Sequence, residues 1–556
     1  MDICKLKKKL IDEVKKSIHN PLFYLLCIVL FALFLRLYFF VGMGFYDDPT
    51  YLQSAYKIFQ GVDYIPDKVF WELRIGVYYP IAFFWKLFSI NDLSASIYFI
   101  LCSLGSIVVT YYIAKEFFSV RVALFSSFLL SIFPLNIIYS TQIGPDIPFQ
   151  FLTGLAVLFF IYQEKNKPKS SFHALFCGIF IGFSYTVRST VILLLPLFLC
   201  YIFLQVLKNR DLKYLFNRKK MIRYFLILLG FFLIFSVQLV HFYNITGEWF
   251  YVENGRGYNF SHGLNDNSNY WWYPAEMFSF ESDIIRSFGV DLKHHIDDSY
   301  GYFDTIHDEP LFGFLYYFVV LASIWFLYKR ESNTYFFILW WSGFFFFFEF
   351  FLQFYCTTLC NYCVYGRAPR FLTSFSIPAV ILAGKFLYFD KASLLKGDNI
   401  KKIRSSLCIL FIIFLISTSI VFAYQGSKFL RNGMGDVRET VEYLQSLPPK
   451  TIYVSHPEFI YKSKYFFRYN ETYLNNIKLF NCDEIDCDNF SYDAGDFISD
   501  SYVVIKVLPY WKVWKDSLGF PSFFFNPPKN WVLLKEIKLD NYGIFKEYNP
   551  KIYYAP

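Results

Sequence analysis

Two neighbouring carboxylates, Asp47 and Asp48, follow directly after the first long apolar stretch of the chain. Tyr51 and an amphipathic segment come next, within residues 44–61. Acidic side chains are costly near hydrocarbon, so an acidic pair at the edge of a bilayer is a candidate functional site. A carboxylate there could take a proton from a reacting hydroxyl as a general base. The alternative is that one of the two starts the helix near Pro49, because Asp before Pro is a common start signal.

A third carboxylate, Asp146, lies in a short segment between two later apolar stretches. By itself it is equally well explained as a turn residue after Gly144 and Pro145, because Asp is common in such turns. The expected topology, however, places Asp146 on the same side of the membrane as Asp47 and Asp48. The three carboxylates together therefore indicate a site assembled from sequence-distant loops.

Arginines supply the complementary charge. Arg188 interrupts an apolar stretch, where a charged side chain needs a partner. Arg74, Arg367 and Arg370 lie in segments that we expect outside. Arg367 and Arg370 could instead lay their stems along apolar surface and reach water, although positive charge outside runs against the usual orientation rule. Because Arg binds phosphate bidentately, this set suits a substrate with a phosphate and a reacting hydroxyl.

The elements that position these residues are those of a membrane protein. The chain has 556 residues, of which 55% are hydrophobic and 23% aromatic, and several apolar stretches are long enough to cross a bilayer. The two spans beside Arg188 are short, so they are either two helices or one broken or tilted span. We expect about eleven transmembrane helices, at residues 21–41, 93–114, 121–140, 148–163, 174–187, 190–207, 224–243, 311–328, 334–355, 371–389 and 407–424.

The basic residues predict the orientation of the chain. They cluster in the N-terminal tail and in segments 163–173, 208–223 and 390–406. With about eleven spans these segments share one side, which the positive-inside rule makes the cytoplasm. The net charge of +8 is thereby explained without a nucleic-acid partner. The segments expected outside are residues 42–92, 141–147, 244–310, 356–370 and the tail from 425.

The chain is predicted to have two domains. Residues 1–424 form the multispan domain, and the less apolar residues 425–556 form a soluble extracytoplasmic α/β domain. In this tail GDVRETVEYLQSL has the pattern of an amphipathic helix, and TIYVSH and SYVVIKVL have the pattern of strands. Residues 530–548 are expected to form a hairpin that turns near Asp540 and Asn541. The fold class is therefore an all-α polytopic membrane protein with a C-terminal α/β domain.

Four features in this order resemble the membrane glycosyltransferases of the GT-C fold: the acidic pair with Tyr51, Pro145-Asp146, the Arg188 segment, and the segment from Arg370 to Pro378. The most similar families are the family 39 and 83 types, which include protein O-mannosyltransferases and the lipid A aminoarabinose transferase. Each motif is short, and the resemblance lies in order and topology over the whole chain. It implies a polyprenyl-phosphate sugar donor, an inverting transfer to a lipid, glycan or protein acceptor, and Asp47 as the base.

The sequence departs from this family pattern at its acidic residues. Asp48 stands where the family commonly has Glu, and the Glu-Lys-Pro-Pro segment of the aminoarabinose branch is not recognisable; Glu72 is the nearest candidate. The resemblance allows a divalent cation, for which Asp48, Asp146 and Glu72 are the candidate ligands. No other cofactor is expected, because the chain has neither a dinucleotide-binding nor a P-loop motif.

Two other functions compete with that of an enzyme. A transporter or flippase of lipid-linked saccharides also needs charged residues within spans, but it predicts internal repeats and sites at the membrane midplane. No repeat is evident, and the acidic groups collect at one face. A non-catalytic scaffold predicts that loss of the three Asp residues has no effect. We therefore expect a glycosyltransferase of the cell membrane, acting on its outer face.

Overall fold

The structure is a computed structural model, and the chain forms two compact units. The first consists of Met1–Gly42, Ser54–Phe88 and Leu93–Ser427, and the second of Met43–Gln53, Ser89–Asp92 and Lys428–Pro556. The structure describes residues 20–44, 48–62, 74–165, 168–209, 218–247, 315–351, 373–388, 398–432, 435–455, 457–479, 500–505, 527–537 and 550–556.

The described part of the chain up to Asn432 is built from helices. Short 3-10 segments precede three of the longer helices, at Ser189–Leu193, Ser332–Thr334 and residues 373–375. In chain order the helices up to the end of the multispan region are α1 (Pro21–Tyr38), α2 (Asp48–Gln60), α3 (Ile75–Phe88), α4 (Asp92–Phe117), α5 (Val120–Ile132), α6 (Pro134–Ile138), α7 (Asp146–Glu164), α8 (Ser170–Val187), α9 (Leu194–Asn209), α10 (Arg218–Thr246), α11 (Leu315–Tyr328), α12 (Tyr335–Phe351), α13 (Ser376–Leu387) and α14 (Asp398–Asn432).

Several of these helices have the length and apolar composition of membrane spans. Within the described residues, six helical segments are long and apolar enough to cross a membrane, and five shorter apolar helices accompany them. The prediction of an all-α polytopic protein is confirmed, while the count of eleven spans stays a prediction. The six are Pro21–Tyr38, Asp92–Phe117, Asp146–Glu164, Ser170–Val187, Ser189–Val206 and Arg218–Ile245.

Local sequence determines where several helices begin and end. The Asn20 side chain accepts a hydrogen bond from the Leu22 N–H at 3.0 Å, and Pro21 occupies the first turn of α1. The span expected at 121–140 is broken. Because a proline disfavours a helical conformation in the residue before it, α5 ends at Ile132, Phe133 is extended, and α6 starts at Pro134.

Residues 42–92, expected as an outer loop, contain two helices in their described part. The amphipathic segment after Asp48 forms α2, as its pattern predicted, and a second apolar helix, α3, follows. At 14 residues, α3 is about 21 Å long, which is shorter than the hydrocarbon core of a bilayer. Because α3 is short, it was not predicted: a search for stretches of about 20 apolar residues passes over a helix of this length.

Small residues let α8 and α10 approach closely. A Cβ added at Gly178 would lie 1.9 Å from the Ile227 carbonyl oxygen, and one added at Gly230 would lie 2.4 Å from the Leu175 carbonyl oxygen. Helices in membranes associate through such close packing, because the hydrophobic effect does not drive apolar side chains out of lipid. The glycines therefore determine how near these two helices lie.

The second unit contains a mixed five-stranded sheet in the order β2-β1-β3-β5-β4. Strand β1 is parallel to both β2 and β3, whereas β5 is antiparallel to β3 and β4. All five residues of β3 are buried, as the continuous apolar run predicted. The elements are α15 (Gly435–Gln445), β1 (Thr451–Val454), α16 (Pro457–Phe466), α17 (Glu471–Leu474), β2 (Ile477–Leu479), β3 (Ser501–Ile505), β4 (Val532–Glu536) and β5 (Lys551–Ala555).

The predicted α/β character of the tail is confirmed, with two differences in detail. The strand β4 pairs with β5, which lies beyond the segment expected to return as the hairpin; the turn near Asp540 and Asn541 lies outside the described residues. The span expected at 407–424 is part of the longer α14, whose helix continues to Asn432. The domain limits at 424 and 425 stay a prediction.

Candidate functional site

Asp146 and Arg188 occupy the ends of two consecutive helices. Asp146 is the first residue of α7, where the positive end of the helix dipole favours a carboxylate. Helix α8 ends at Val187, and Arg188 follows it in an extended conformation (φ −157°, ψ 122°). The guanidinium therefore lies at the negative end of α8, which favours a cation. The chain breaks between α8 and α9 at the charged residue. Whether the two helices cross the membrane separately or as one broken span stays a prediction.

These two side chains form a buried ion pair. Arg188 Nη1 lies 2.9 Å from Asp146 Oδ1, and the two side chains are 6% and 5% exposed. The pair has ion-pair distance but not hydrogen-bond angles, so within the described residues Asp146 Oδ1 has no hydrogen-bond donor. Arg188 also donates to Ser374 Oγ at 3.5 Å and lies 5.9 Å from the ring centre of Phe149. Arg188, which as a charge in an apolar stretch was expected to need a partner, lies beside a carboxylate; its role in phosphate binding stays a prediction.

Helix α3 packs against the end of α8, directly before Arg188. A Cβ added at Gly76 would lie 2.4 Å from Thr186 Oγ1 and 2.7 Å from Val187 Cγ2. Any side chain at this position would force Thr186, Val187 or one of the two helices to shift. Arg74, two residues earlier in the chain, is half-buried, and its carbonyl accepts a hydrogen bond from the Val77 N–H at 2.8 Å. The first turn of α3 is thus held beside the break.

The loop before Asp146 is joined to the chain that leads into the acidic pair. Gly42 and Gln142 form a parallel β-bridge, and the Val41 N–H donates to Thr141 Oγ1 at 3.0 Å. Ser96 Oγ of α4 donates to the Thr141 carbonyl at 2.8 Å. Residues 41–42 and 141–142, about a hundred residues apart in the sequence, are therefore held side by side.

Asp48 and Tyr51 lie in the second unit, and both are buried. Asp48 is the first residue of α2, and its Oδ2 accepts a hydrogen bond from the Gly44 N–H at 2.8 Å. The Asp48 carboxylate therefore holds the residues that precede α2 in place. This role resembles the alternative, given by the sequence, that one of the two acidic residues starts the helix near Pro49. Tyr51 follows within the first turns of α2.

Several predicted site residues lie outside the described residues: Asp47, Glu72, Arg367 and Arg370. Their roles stay predictions. In the described part of the chain, no three His, Cys, Asp or Glu side chains come together in a group that could hold a metal ion. A divalent cation held by Asp48, Asp146 and Glu72 is thus an unconfirmed prediction.

Three buried polar residues that hydrogen bonds link to one another are absent from the predicted set: Arg36, Asn136 and Gln150. Arg36 is a charge within the first apolar span, so the rule that singled out Arg188 applies to it equally. Asn136 and Gln150 carry no comparable signal, because single amides in apolar stretches are common. Only their mutual hydrogen bonds, described below, mark them.

Comparison with known proteins bears on the fold of this chain. A family model described as dolichyl-phosphate-mannose-protein mannosyltransferase matches residues 75–241. The structure of ArnT from Cupriavidus metallidurans bound to undecaprenyl phosphate is similar with a TM-score of 0.50 and 12% identity, covering 95% of this chain and 97% of that one. The apo oligosaccharyltransferase of Archaeoglobus fulgidus has a TM-score of 0.50 and 14% identity, covering 87% and 69%.

The chain has the GT-C fold. No curated protein matches it by sequence. At identities this low, similarity to solved structures establishes the fold of this chain and leaves its substrates open. The family match covers α3 through α10, the region that contains Asp146, Arg188 and the break between α8 and α9.

Proposed function

We propose that this protein is an integral-membrane glycosyltransferase that moves a sugar from a polyprenyl-phosphate donor to an acceptor hydroxyl. The observation that carries the proposal is the buried Asp146–Arg188 pair at a helix break, on a GT-C fold and within the region that matches a mannosyltransferase family. ArnT binds undecaprenyl phosphate, which supports a lipid phosphate as the carrier of the donor sugar.

In the proposed reaction, Asp47 is the general base. Its carboxylate takes the proton of the acceptor hydroxyl, and the hydroxyl oxygen forms a bond to the anomeric carbon. The bond from that carbon to the phosphate oxygen breaks on the opposite face, and its electron pair leaves with the lipid phosphate. The sugar is thereby transferred with inversion. Asp48 and Asp146 orient the acceptor in this scheme.

The leaving phosphate needs no proton if cations balance its charge, because fixed positive groups at a developing anion lower the barrier. Arg370 is the first candidate for this role, with Arg367, Arg74 and Arg188 beside it. Arg188 is already paired with Asp146 at 2.9 Å. In this proposal the pair keeps Arg188 in place at the helix break until the donor phosphate arrives.

A divalent cation is an additional proposal that rests on Asp48, Asp146 and Glu72. The described residues give it limited support, because Asp146 Oδ1 faces the Arg188 guanidinium rather than other carboxylates. Glu72 lies outside the described residues. We derive no step of the transfer through a cation.

The proposed site faces the outer side of the cell membrane, with the N-terminus in the cytoplasm. The distribution of basic residues supports this orientation. Residues 1–424 would form the catalytic domain and residues 425–556 the extracytoplasmic domain, whose sheet and helices form within the second unit. The acceptor is a lipid, a glycan or a protein hydroxyl.

The test is a transfer assay with the purified full chain in lipid nanodiscs. A panel of polyprenyl-phosphate sugars is incubated with extracted membrane acceptors, and transfer is followed by mass spectrometry. We expect one donor to be consumed and its sugar to appear on an acceptor. If no donor is consumed while lipid-linked sugar crosses the bilayer of proteoliposomes, the protein is a flippase and the proposal is wrong.

Site variants test the roles of the residues. We expect Asp47→Asn to abolish transfer while leaving the melting temperature within a few degrees of the wild type. We expect Arg370→Ala to weaken donor binding. Glu331→Gln is a matched control, because Glu331 forms a partly exposed ion pair with Lys385 at 3.3 Å and is assigned no catalytic role. Normal transfer by Asp47→Asn would remove Asp47 as the base.

A further inference from the structure

A chain of buried hydrogen bonds starts at Arg36, which is fully buried in α1. Its Nη2 donates to Asn136 Oδ1 at 2.8 Å, and its Nε donates to Ser103 Oγ at 2.8 Å. Its Nη1 donates to the main-chain oxygens of Ala32 and Ser131. Every one of these acceptors is neutral, so among the described residues no carboxylate balances this guanidinium.

The charge of Arg36 dictates which way the amides beyond it point. A guanidinium can only donate, so the atom of Asn136 that faces it must be the oxygen. Ser103 Oγ accepts a hydrogen bond from Arg36 and donates its own O–H to the same Asn136 oxygen, at 2.5 Å. The amide nitrogen of Asn136 therefore faces the other way and donates to Gln150 Oε1 at 2.8 Å.

Gln150 must then present its amide N–H groups away from Asn136. Gln150 is fully buried, and within the described residues its Nε2 has no hydrogen-bond partner. An unsatisfied buried donor is costly and calls for an explanation. Gln150 lies one helical turn after Asp146 on α7, and helical side chains lean toward the N-terminus, so its amide leans toward the turn that bears Asp146.

The two neighbouring side chains lack complementary partners. Gln150 Nε2 is a donor without an acceptor, and Asp146 Oδ1 is an acceptor without a hydrogen-bond donor, among the residues that the structure describes. Residues four apart on a helix have Cβ atoms about 5–6 Å apart. One hydroxyl group between them can accept from Gln150 and donate to Asp146 at normal distances. Neither a phosphate dianion nor an ammonium group can do both.

We propose that Gln150 Nε2 and Asp146 Oδ1 bind one hydroxyl group of the saccharide substrate. In this proposal Arg36 and Asn136 are positioning residues, because they fix the orientation of the Gln150 amide without touching the substrate. The inference rests on the proposed glycosyltransferase function for the identity of the ligand. The orientation of the amide rests on the hydrogen bonds alone.

The substitution Asn136→Asp tests the orientation of the amide. The new carboxylate gives Arg36 a counter-charge and can only accept, so Gln150 must turn its amide to donate to it. We expect the melting temperature of the unliganded protein in nanodiscs to equal or exceed that of the wild type. The matched variant Asn136→Leu removes both bonds and should lower it. If Asn136→Asp melts as low as Asn136→Leu, the proposed orientation is wrong.

The same variant tests the hydroxyl site, because the turned amide no longer faces the substrate. With the donor identified in the panel, we expect Asn136→Asp to raise KM about tenfold with a smaller change in kcat, since one neutral hydrogen bond is lost. Gln150→Glu keeps an oxygen that accepts from the Asn136 amide but lacks the N–H group that would donate to the substrate. It should therefore raise KM as Asn136→Asp does. Unchanged KM for both donor and acceptor in both variants would overturn the hydroxyl site.

The source of the hydroxyl is determined with deoxy substrates. A donor sugar or acceptor that lacks the bound hydroxyl should lose about tenfold in kcat/KM with the wild type and little with Gln150→Glu. A wild type that transfers no sugar overturns the proposed function. The melting comparison still decides the amide orientation, and a thermal shift of the wild type by mannosyl polyprenyl phosphate that Gln150→Glu loses still supports the hydroxyl site.

Discussion

The two ends of helix α7 each carry a buried ion pair, and the two pairs differ in how completely they are satisfied. At the C-terminal end, Glu164 lies 3.3 Å from Lys220 Nζ and accepts from Tyr224 OH at 3.0 Å and from Gln163 Nε2 at 2.7 Å. At the N-terminal end, Asp146 Oδ1 has the nearby Arg188 guanidinium but no hydrogen-bond donor in the described part of the chain.

This difference suits the proposed roles of the two pairs, a structural one at Glu164 and a substrate-binding one at Asp146. A buried carboxylate that is surrounded by donors is held in one geometry and has no reason to bind anything else. A carboxylate with an unsatisfied oxygen retains the capacity to accept from a substrate. The two ends of α7 therefore show that burial and charge are shared by both pairs, and that the unsatisfied Asp146 Oδ1 distinguishes one carboxylate from the other.

The largest effect on sugar transfer is expected from Asp146→Asn. We predict that kcat/KM falls at least about a hundredfold, because the acceptor loses the group that orients it. The variant also leaves Arg188 buried without its carboxylate, which lowers stability. The double variant Asp146→Asn with Arg188→Met should recover melting temperature but not transfer. Recovery of transfer together with stability would make the pair structural.

A smaller effect on transfer is expected from Gly76→Ala. The added methyl group would overlap the side chains of Thr186 and Val187 and press on the Thr186 main chain, so we expect the end of α8 to shift and to displace Arg188. We predict a loss of about tenfold in transfer, measured per folded molecule. Gly343→Ala is the matched control, since nothing lies within 4 Å of a Cβ there. Equal activity of the two variants would contradict a positioning role for Gly76.

Glu164→Gln should affect stability more than transfer. The variant leaves Lys220 buried without its carboxylate, at a cost of about 3 kcal/mol. The two side chains are only 6% and 2% exposed, so solvent screens them little. We predict a lower melting temperature and transfer within about twofold of the wild type per folded molecule. A loss of transfer comparable to that of Asp146→Asn would remove the distinction between the two ends of α7.

The smallest effect is expected at an exposed pair in the second unit. Lys450 donates to Asp500 Oδ1, and Tyr554 OH donates to the same atom at 2.8 Å. The hydrogen bond from Lys450 lowers the pKa of Asp500, so its stabilising contribution is present above the ordinary pKa of Asp and disappears as the pH falls through the lowered value.

The corresponding test is Asp500→Asn. Asn tolerates the left-handed backbone at this position (φ 49°) as well as Asp does. We predict that the melting temperature of the variant barely differs from that of the wild type at neutral pH, because exposed pairs contribute little. The difference should vanish in high salt, which screens the pair, and in strong acid, where Asp500 of the wild type is protonated. A large difference at neutral pH would mean that exposure is a poor guide to the importance of these pairs.

Much of the fold was predictable from the sequence, because long apolar stretches and charged interruptions are local signals. The buried strand β3 was recognised by its continuous apolar run and the amphipathic helix α15 by its periodicity. The apolar helix α3 was missed, because its 14 residues resemble a segment between spans. The break in the span at 121–140 required attention to Pro134, whose effect on Phe133 is local but overridden in many membrane helices.

The site was predictable only where charge is expensive. Asp146 and Arg188 were found because a charge in apolar surroundings needs a reason, and the structure brings them together. Gln150 and Asn136 could not be found in this way, because an amide is cheap in a sequence and becomes informative only when its partners are known. Which carboxylate faces the sugar depends on side-chain orientations that no sequence pattern encodes.

The neutral partners of Arg36 have a consequence for the biogenesis of the protein. Ser103 and Asn136 lie 67 and 100 residues later in the chain, so they are made after α1. At roughly 5–20 residues per second, about 5 to 20 s pass before Asn136 is synthesised. During that interval Arg36 lacks its two side-chain acceptors and has, of the partners described, only the Ala32 carbonyl of its own helix, so its charge favours the membrane surface. The first helix is therefore made first and settles into place late.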